Sequence, residues 1–537
     1  MVTCAYSGQA KKVFINAQIY DGENFLSEDS FIVENERFTK IAKRKEIEKN
    51  ISKNDEIIDL NNARVLPGFI ESHAHLLGIG RSILELDIRN MNPKQVAQAL
   101  AKQARKQKPG TWIRGRGWDH NLWPEKQFPH AHMLKGVADK NPVYLRRVDG
   151  HAGWMNDYAM KVIGLDKNTL SPDGGLIIKD KNGLPTGVLV DNALSIVNKF
   201  AEIFSDEEIA QFFDKAVRHV LSFGITSFHD AGIDKKSLSV LLKKAQQNQL
   251  ELRIYTMLDG EDEKFVEEYL KKGPQKINDY LSIRAIKYFA DGALGSRGAL
   301  LLKDYSDQAD YQGLALISEK ELHDKTLAAL KKGFQVATHA IGDQANRVVL
   351  NAYEKALAQH PSFDARLRIE HAQLIDPMDH HRFKKLGVIA SMQPSHCTSD
   401  MEWVADRLGF DRLAQRAYPW RSLIEKGAPL AFGSDAPVES VNPIEGLFAA
   451  VTRSKQPHSI SFYPDQQLTL KEALNGYHSG AAFAEFSEHQ KGKIARGFLA
   501  DFVVYKEDIL HPSKNEFLDV RPFITVVGGN IVYKKRS

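Results

Sequence analysis

The sequence predicts an α/β protein built on a closed (β/α)8 TIM barrel. A small sheet domain made from both chain ends and a subdomain inserted after the first barrel strand complete the expected architecture. Three observations carry this expectation. Helix-period segments alternate with short apolar runs through the middle of the chain. Both ends share a β-rich texture that the middle lacks. One βα unit is far longer than the others.

Residues 11–65 contain "KVFINAQIYDG", "SFIVENERFTKIA" and "DEIIDLNNARVLPG", runs of β-branched and aromatic residues broken by Gly and Asn/Asp turns. "GKIARGFLADFVVYKED" and "FITVVGGNIVYKK" repeat that texture near the other end. Because chain ends often lie close together, these segments define one composite domain, 1–65 plus 491–537, beside a barrel at 66–490.

The first barrel strand is "VLPGFIESHAH". From Glu208 the order is helix "EIAQFFDKAVRHVLSFG", strand "ITSFHDAG", helix "KKSLSVLLKKAQQNQ", strand "LRIYTML" and helix "EKFVEEYLKKG". Strand "IRAIKYFADG", helix "EKELHDKTLAALKKG", strand "FQVATHAIG" and helix "ANRVVLNAYEKALAQ" follow. The series ends with strands "LRIEHAQL", "VIASMQPS" and "PLAFGSDAP", separated by helices "MDHHRFKKLG" and "WRSLIEKG". Eight strands in βα units suggest closure. The alternative is an open doubly wound sheet, but no glycine-rich phosphate fingerprint follows the first strand.

About 150 residues separate His75 from "ITSFHDAG", where one βα unit needs roughly 30. The excess, residues 109–205, is rich in Trp, Gly, Pro and His. It reads as a subdomain emerging at the C-terminal rim, over the barrel mouth.

Composition narrows the function classes. The 537 residues are 43% hydrophobic and 26% charged, with a net charge of +4, ordinary values for a globular protein. That balance argues against a nucleic-acid or membrane-surface partner, and the terminal "KKRS" reads as a solvated tail. Two cysteines, Cys4 and Cys397, exclude a disulfide framework and point to a reducing compartment. "MVTCAYSGQAKKVF" lacks the pattern of an export signal, and no window reaches the roughly 18 apolar residues of a spanning helix. The expectation is a cytoplasmic enzyme acting on a small molecule, although a processed precursor would read the same way. A homodimer follows from base rates alone.

Chemistry-bearing residues stand at the predicted strand ends. His73 and His75 close the first strand, Lys287 lies in the fourth, His339 and His371 end the fifth and sixth, and Asp435 ends the eighth. Imidazoles and a carboxylate gathered at a barrel mouth suit Zn2+ or a related divalent ion. An ammonium would be repelled there. Burial and nearby cations instead favour a neutral lysine, and a neutral amine can add CO2 to give an anionic carbamate.

The set "GFIESHAH", "IKYFADG", "THAIGDQA", "RIEHAQ" and "FGSDAP" resembles the amidohydrolase superfamily, and more narrowly its N-substituted formamide deformylase-like branch. The likeness extends to "GRGWD", "DGHAGWMN", "GLPTGVL" and "GKIARGFLADFVVY". It implies a distorted barrel, a terminal β-sandwich and a centre of one or two ions. His73, His75 and Asp435 would hold one ion and His339 and His371 the other, with N6-carboxylated Lys287 as the bridge. Activated water would then attack a carbon–nitrogen amide bond, with Asp435 as the catalytic proton shuttle.

Substrate-binding candidates are His151 in "DGHAGWMN", Asp291 and Arg297 in "ADGALGSRGA", and Trp118, which with Trp123 and Trp154 would form an apolar wall. His229 and His396 also lie at strand ends but are not expected to be ligands, and the His380–His381 pair is expected in solvent. Lactone or phosphoester hydrolysis could use the same ligands. Deamination is disfavoured, because related deaminases carry a glutamate where Gly342 stands and lack the lysine. A non-catalytic binding or assembly paralogue is the alternative from another class, and it would be expected to lose ligands.

Overall fold

The computed structural model describes residues 11–361, 364–511 and 516–536; Cys4 lies outside them. Eight parallel strands form the central sheet and are numbered here in chain order: β1 Phe69–Ala74, β2 Ile225–Ile233, β3 Arg253–Asp259, β4 Leu281–Phe289, β5 Gln335–Ala340, β6 Arg368–His371, β7 Ile389–Met392 and β8 Leu430–Phe432. Each pairs with its successor, giving a nearly closed barrel.

The opening between β8 and β1 is bridged just past the strand ends. Asp435 N–H donates to His73 O at 2.7 Å and His75 N–H donates to Ala436 O at 2.8 Å. Below them Glu71 accepts the Ser434 N–H at 3.0 Å and the Ser434 hydroxyl at 2.8 Å. Gly433 is required here, since a Cβ would stand 2.2 Å from Glu71 Oε1 and 2.6 Å from His73 N. The segment that closes the barrel therefore also carries Asp435.

Flanking helices follow from local sequence. Asp206–Leu221, which leads into β2, starts with a capping box in which Ser205 and Glu208 satisfy each other's backbone N–H. Its apolar stripe buries Phe212, Phe213, Ala216 and Val220. Three short helices that sequence periodicity did not reveal, Pro394–Asp400, Val404–Leu408 and Phe410–Arg416, lie between β7 and β8.

Strands from both ends of the chain form one seven-stranded sheet, in which Phe502–Tyr505 pairs with Glu56–Pro67. Phe38 lies on an edge strand four places from Phe502, a separation of about 19 Å in a flat sheet. Their rings are nevertheless 6.0 Å apart, so the sheet rolls over its own core. A separate six-stranded sheet between β1 and β2 runs from Leu86 to Asp191, so the inserted unit begins well before Pro109. No helix among the described residues is long and apolar enough to cross a membrane.

Candidate metal centre

His73 is fully buried, and its Nδ1 is engaged by Glu370, which is paired in turn with Arg368. That contact fixes the ring and directs Nε2 away from it. Nε2 is buried and makes no hydrogen bond, a costly state for a lone nitrogen and an ordinary one for a metal ligand. Its ring lies 4.9 Å from that of His371 and 5.7 Å from that of His75. Donor atoms of His73, His371 and Asp435 all fall within 4.8 Å of one another. Two imidazoles and a carboxylate at that spacing fit a divalent ion.

The remaining predicted groups surround this trio. His75 Nε2 is 3.1 Å from Asp435 Oδ1. His371 gives its Nδ1 to Gln393 Oε1 at 2.8 Å, leaving Nε2 for the centre. His339 stands 4.5 Å from His371, ring to ring, and turns its Nε2 toward Asp291 Oδ1 and Gly292 O. Its free donor is therefore Nδ1. Lys287 points into the same cavity of about 660 Å3, which His75, His339, His371 and Asp435 also line.

Electrostatics favour the ligating states. Burial holds His339 and His371 well below the usual imidazole range. Burial and the neighbouring Lys287 lower His73 to about 4. Burial would raise Asp435, but His75 and the other imidazoles outweigh it and keep the group ionised. Burial also lowers Lys287, against the pull of Glu370 and Asp435. A less basic amine is the form that can take up CO2.

Local backbone geometry aims two of these side chains. His371 and Asp435 have φ of 74° and 57°, in the left-handed region. Such residues each cost on the order of 1–3 kcal/mol and concentrate at functional sites. The turn at His371 lets it face the barrel interior alongside Glu370, where strand alternation would have placed them on opposite faces.

The substrate-contact candidates divide. His151 lines the cavity, with Nδ1 held by Asp191 Oδ1 at 2.7 Å. Burial opposes its charge, but that hydrogen bond prevails and raises its pKa. Asp291 is instead a structural anchor, accepting backbone N–H groups from Leu300, Ile341 and Gly342. Arg297 pairs with Asp307 at 2.9 Å and lies outside the cavity walls. Trp118 does not form a substrate wall. It is fully buried in the inserted unit, packed on Trp123 and Trp154, and its indole donates to Leu145 O.

A second cavity, of about 360 Å3, also reaches His371 and Asp435 and is lined by Trp403 and His396. His396 Nε2 is 3.9 Å from Asp435 Oδ2. His229 stays below the centre, near Arg368 and Glu485. His380 is buried rather than solvated, because its helix, His380–Leu386, packs between neighbouring helices.

Residues 56–533 match the amidohydrolase family. The chain belongs to that family. This amidohydrolase is 35% identical over 503 residues to the putative amidohydrolase YtcJ of Bacillus subtilis, covering 91% of this chain and 92% of that one. It is 26% identical over 535 residues to the N-substituted formamide deformylase of Arthrobacter pascens, covering 97% of each. Among solved structures, an uncharacterized metal-dependent hydrolase from Pyrococcus horikoshii aligns with a TM-score of 0.78 at 27% identity. That alignment covers 94% of this chain and 99% of the other. Family membership and this structural likeness make the protein a hydrolase of the amidohydrolase family with a TIM-barrel fold.

Proposed function

We propose that this amidohydrolase cleaves a non-peptide carbon–nitrogen amide bond in a small molecule, an N-substituted amide or formamide. The observation that carries the reading is the convergence of His73, His371 and Asp435 beside buried Lys287. His73, His75, His339, His371 and Asp435 would hold one or two divalent ions, with Zn2+ the best match to the donors. Lys287, carboxylated on its amine, would supply the bridging anion. A bound ion contributes Lewis acidity, polarising the scissile carbonyl and acidifying a water.

The chain's own groups complete the reaction. Asp435, ionised and open to both cavities, accepts a proton from the attacking water and returns it to the leaving nitrogen. His151, whose pKa is raised by its hydrogen bond to Asp191 against the cost of burial, can in its protonated form donate to the developing oxyanion from the cavity wall. Gly342 occupies the position where a deaminase-type glutamate would sit, which favours hydrolysis of an acyl–nitrogen bond over deamination.

The test is a hydrolysis screen of formamides, N-acyl amines, lactones and phosphotriesters with Zn2+, Mn2+ and bicarbonate supplied. Amide turnover is expected. Asp435→Asn should lower kcat by at least about a hundredfold, with metal largely retained by elemental analysis. Near-normal kcat in that variant would overturn the proton-shuttle role. Turnover confined to esters would overturn the amide reading.

A further inference from the structure

Arg116 differs from every other arginine at the mouth of the larger cavity. It projects from strand Ile113–Trp118 of the inserted sheet into the cavity that holds Lys287, His339, His371 and Asp435. Its Nε and Nη2 both donate to the carbonyl of Val148, at 3.2 and 2.9 Å. Among the described residues no carboxylate lies within ion-pair distance of it, and Nη1 makes no hydrogen bond. Arg81 nearby pairs with Glu85 and Glu202, and Arg146 pairs with Glu202. Acidic groups on the same wall are also committed. Asp149 pairs with Arg147 and accepts the His151 N–H, while Asp191 holds the His151 ring.

The guanidinium is fixed as well as unpaired. Gly150 gives it room, since a Cβ there would stand 3.1 Å from Nη2. Gly150 also precedes His151, and Arg116 and His151 line the same cavity as the reacting groups. Burial and the adjacent Arg146 lower its pKa to about 10, which leaves it cationic at neutral pH. A half-buried, preorganised cation that makes no ion pair on the wall of this cavity is a binding group for an anion. Its free planar edge matches a carboxylate, which can accept two parallel N–H bonds.

We propose that Arg116 is the anchor of a carboxylate-binding subsite, so that the substrate is an amide carrying a carboxylate, of the N-acyl amino acid class. This substrate class rests on the amide-hydrolase reading above, whereas the anion subsite itself does not. The carboxylate is held against Arg116 while the amide lies across the centre, and the uncharged part of the molecule extends toward Trp403 in the second cavity.

The experiment compares N-formyl-phenylalanine with N-formyl-phenethylamine, which differ only in the carboxylate, on metal-loaded wild type and Arg116→Gln. Wild type should favour the carboxylate substrate, and Arg116→Gln should raise its KM roughly tenfold to a hundredfold, leaving the neutral amide nearly unchanged. Arg116→Lys, which keeps the charge and loses the planar fork, should fall between them. Calorimetric binding of 3-phenylpropanoate, which keeps the carboxylate and phenyl group but has no amide to cleave, reads the subsite on the same proteins without turnover.

A wild type that prefers the neutral amide, or a variant that affects both substrates equally, overturns the subsite while amide hydrolysis stands. Carboxylate binding that is lost in Arg116→Gln, without hydrolysis of either amide, supports the subsite and overturns the amide reading. If Arg116→Gln fails to fold, the wild-type preference and Arg116→Lys decide the matter.

Discussion

Glu370 sits between the guanidinium of Arg368 and the ring of His73, with no solvent access. Arg368 first among its partners, and then His73, hold its carboxyl ionised against the cost of burial. It sets which nitrogen His73 presents. Glu370→Gln keeps the shape but removes that control, and second partners of this kind are worth about 10–100-fold in metal affinity. Chelator competition on purified Glu370→Gln should show that loss. Unchanged affinity would mean that His73 is not a ligand. The six residues expected at the metal site could be named from sequence because each stands at or near the end of a recognisable strand. Glu370 could not, because period-two alternation places it opposite His371, and only the left-handed turn at that residue cancels the rule.

At the scale of elements, the ion pair of Glu485 and Lys491 ties the end of helix Ser479–Ala484 to β2. Lys491 Nζ lies 3.0 Å from Glu485 Oε1 and donates to Ser227 Oγ at 2.8 Å. Burial would raise Glu485, but Lys491 and His229 prevail and lower it to about 2. A depressed carboxyl stabilises the fold above its unfolded value, near 4.5, and loses that contribution as pH falls toward 2. Glu485→Gln should therefore destabilise by about 3–5 kcal/mol near pH 7, with a shrinking difference from wild type in denaturant melts as pH is lowered from 5 to 3. A difference that stayed constant across that range would rule out the charge as its source. Element order was readable here from periodicity, whereas this pairing joins side chains that are distant in sequence.

For the whole molecule, Arg253 is the rivet between barrel and terminal sheet. It is fully buried, donates to both oxygens of Asp501 at 2.7 and 3.0 Å, reaches Glu36 at 3.1 Å, and stacks on Tyr280. Asp501 also accepts the Gly528 N–H at 2.8 Å, so one carboxylate joins β3 to two parts of the terminal sheet. Arg253→Ala leaves that carboxylate buried without its cation, which typically costs about 3–5 kcal/mol. Its signature should be earlier cleavage within residues 11–65 in limited proteolysis, ahead of barrel loss by circular dichroism. Simultaneous loss of both would show that the two units melt together.

The sequence by itself determined the repeated βα order, the two β-rich ends, the long excursion after β1 and the strand-end residues of the centre. These are local properties, set by periodicity and position along the chain. Only the tertiary structure decided that the loop after β8 bridges the barrel seam, that Trp118 serves a core rather than a substrate wall, and that Arg116 makes no ion pair among the described residues. Each depends on which distant groups share a space, and burial and pairing are properties of that space rather than of any segment.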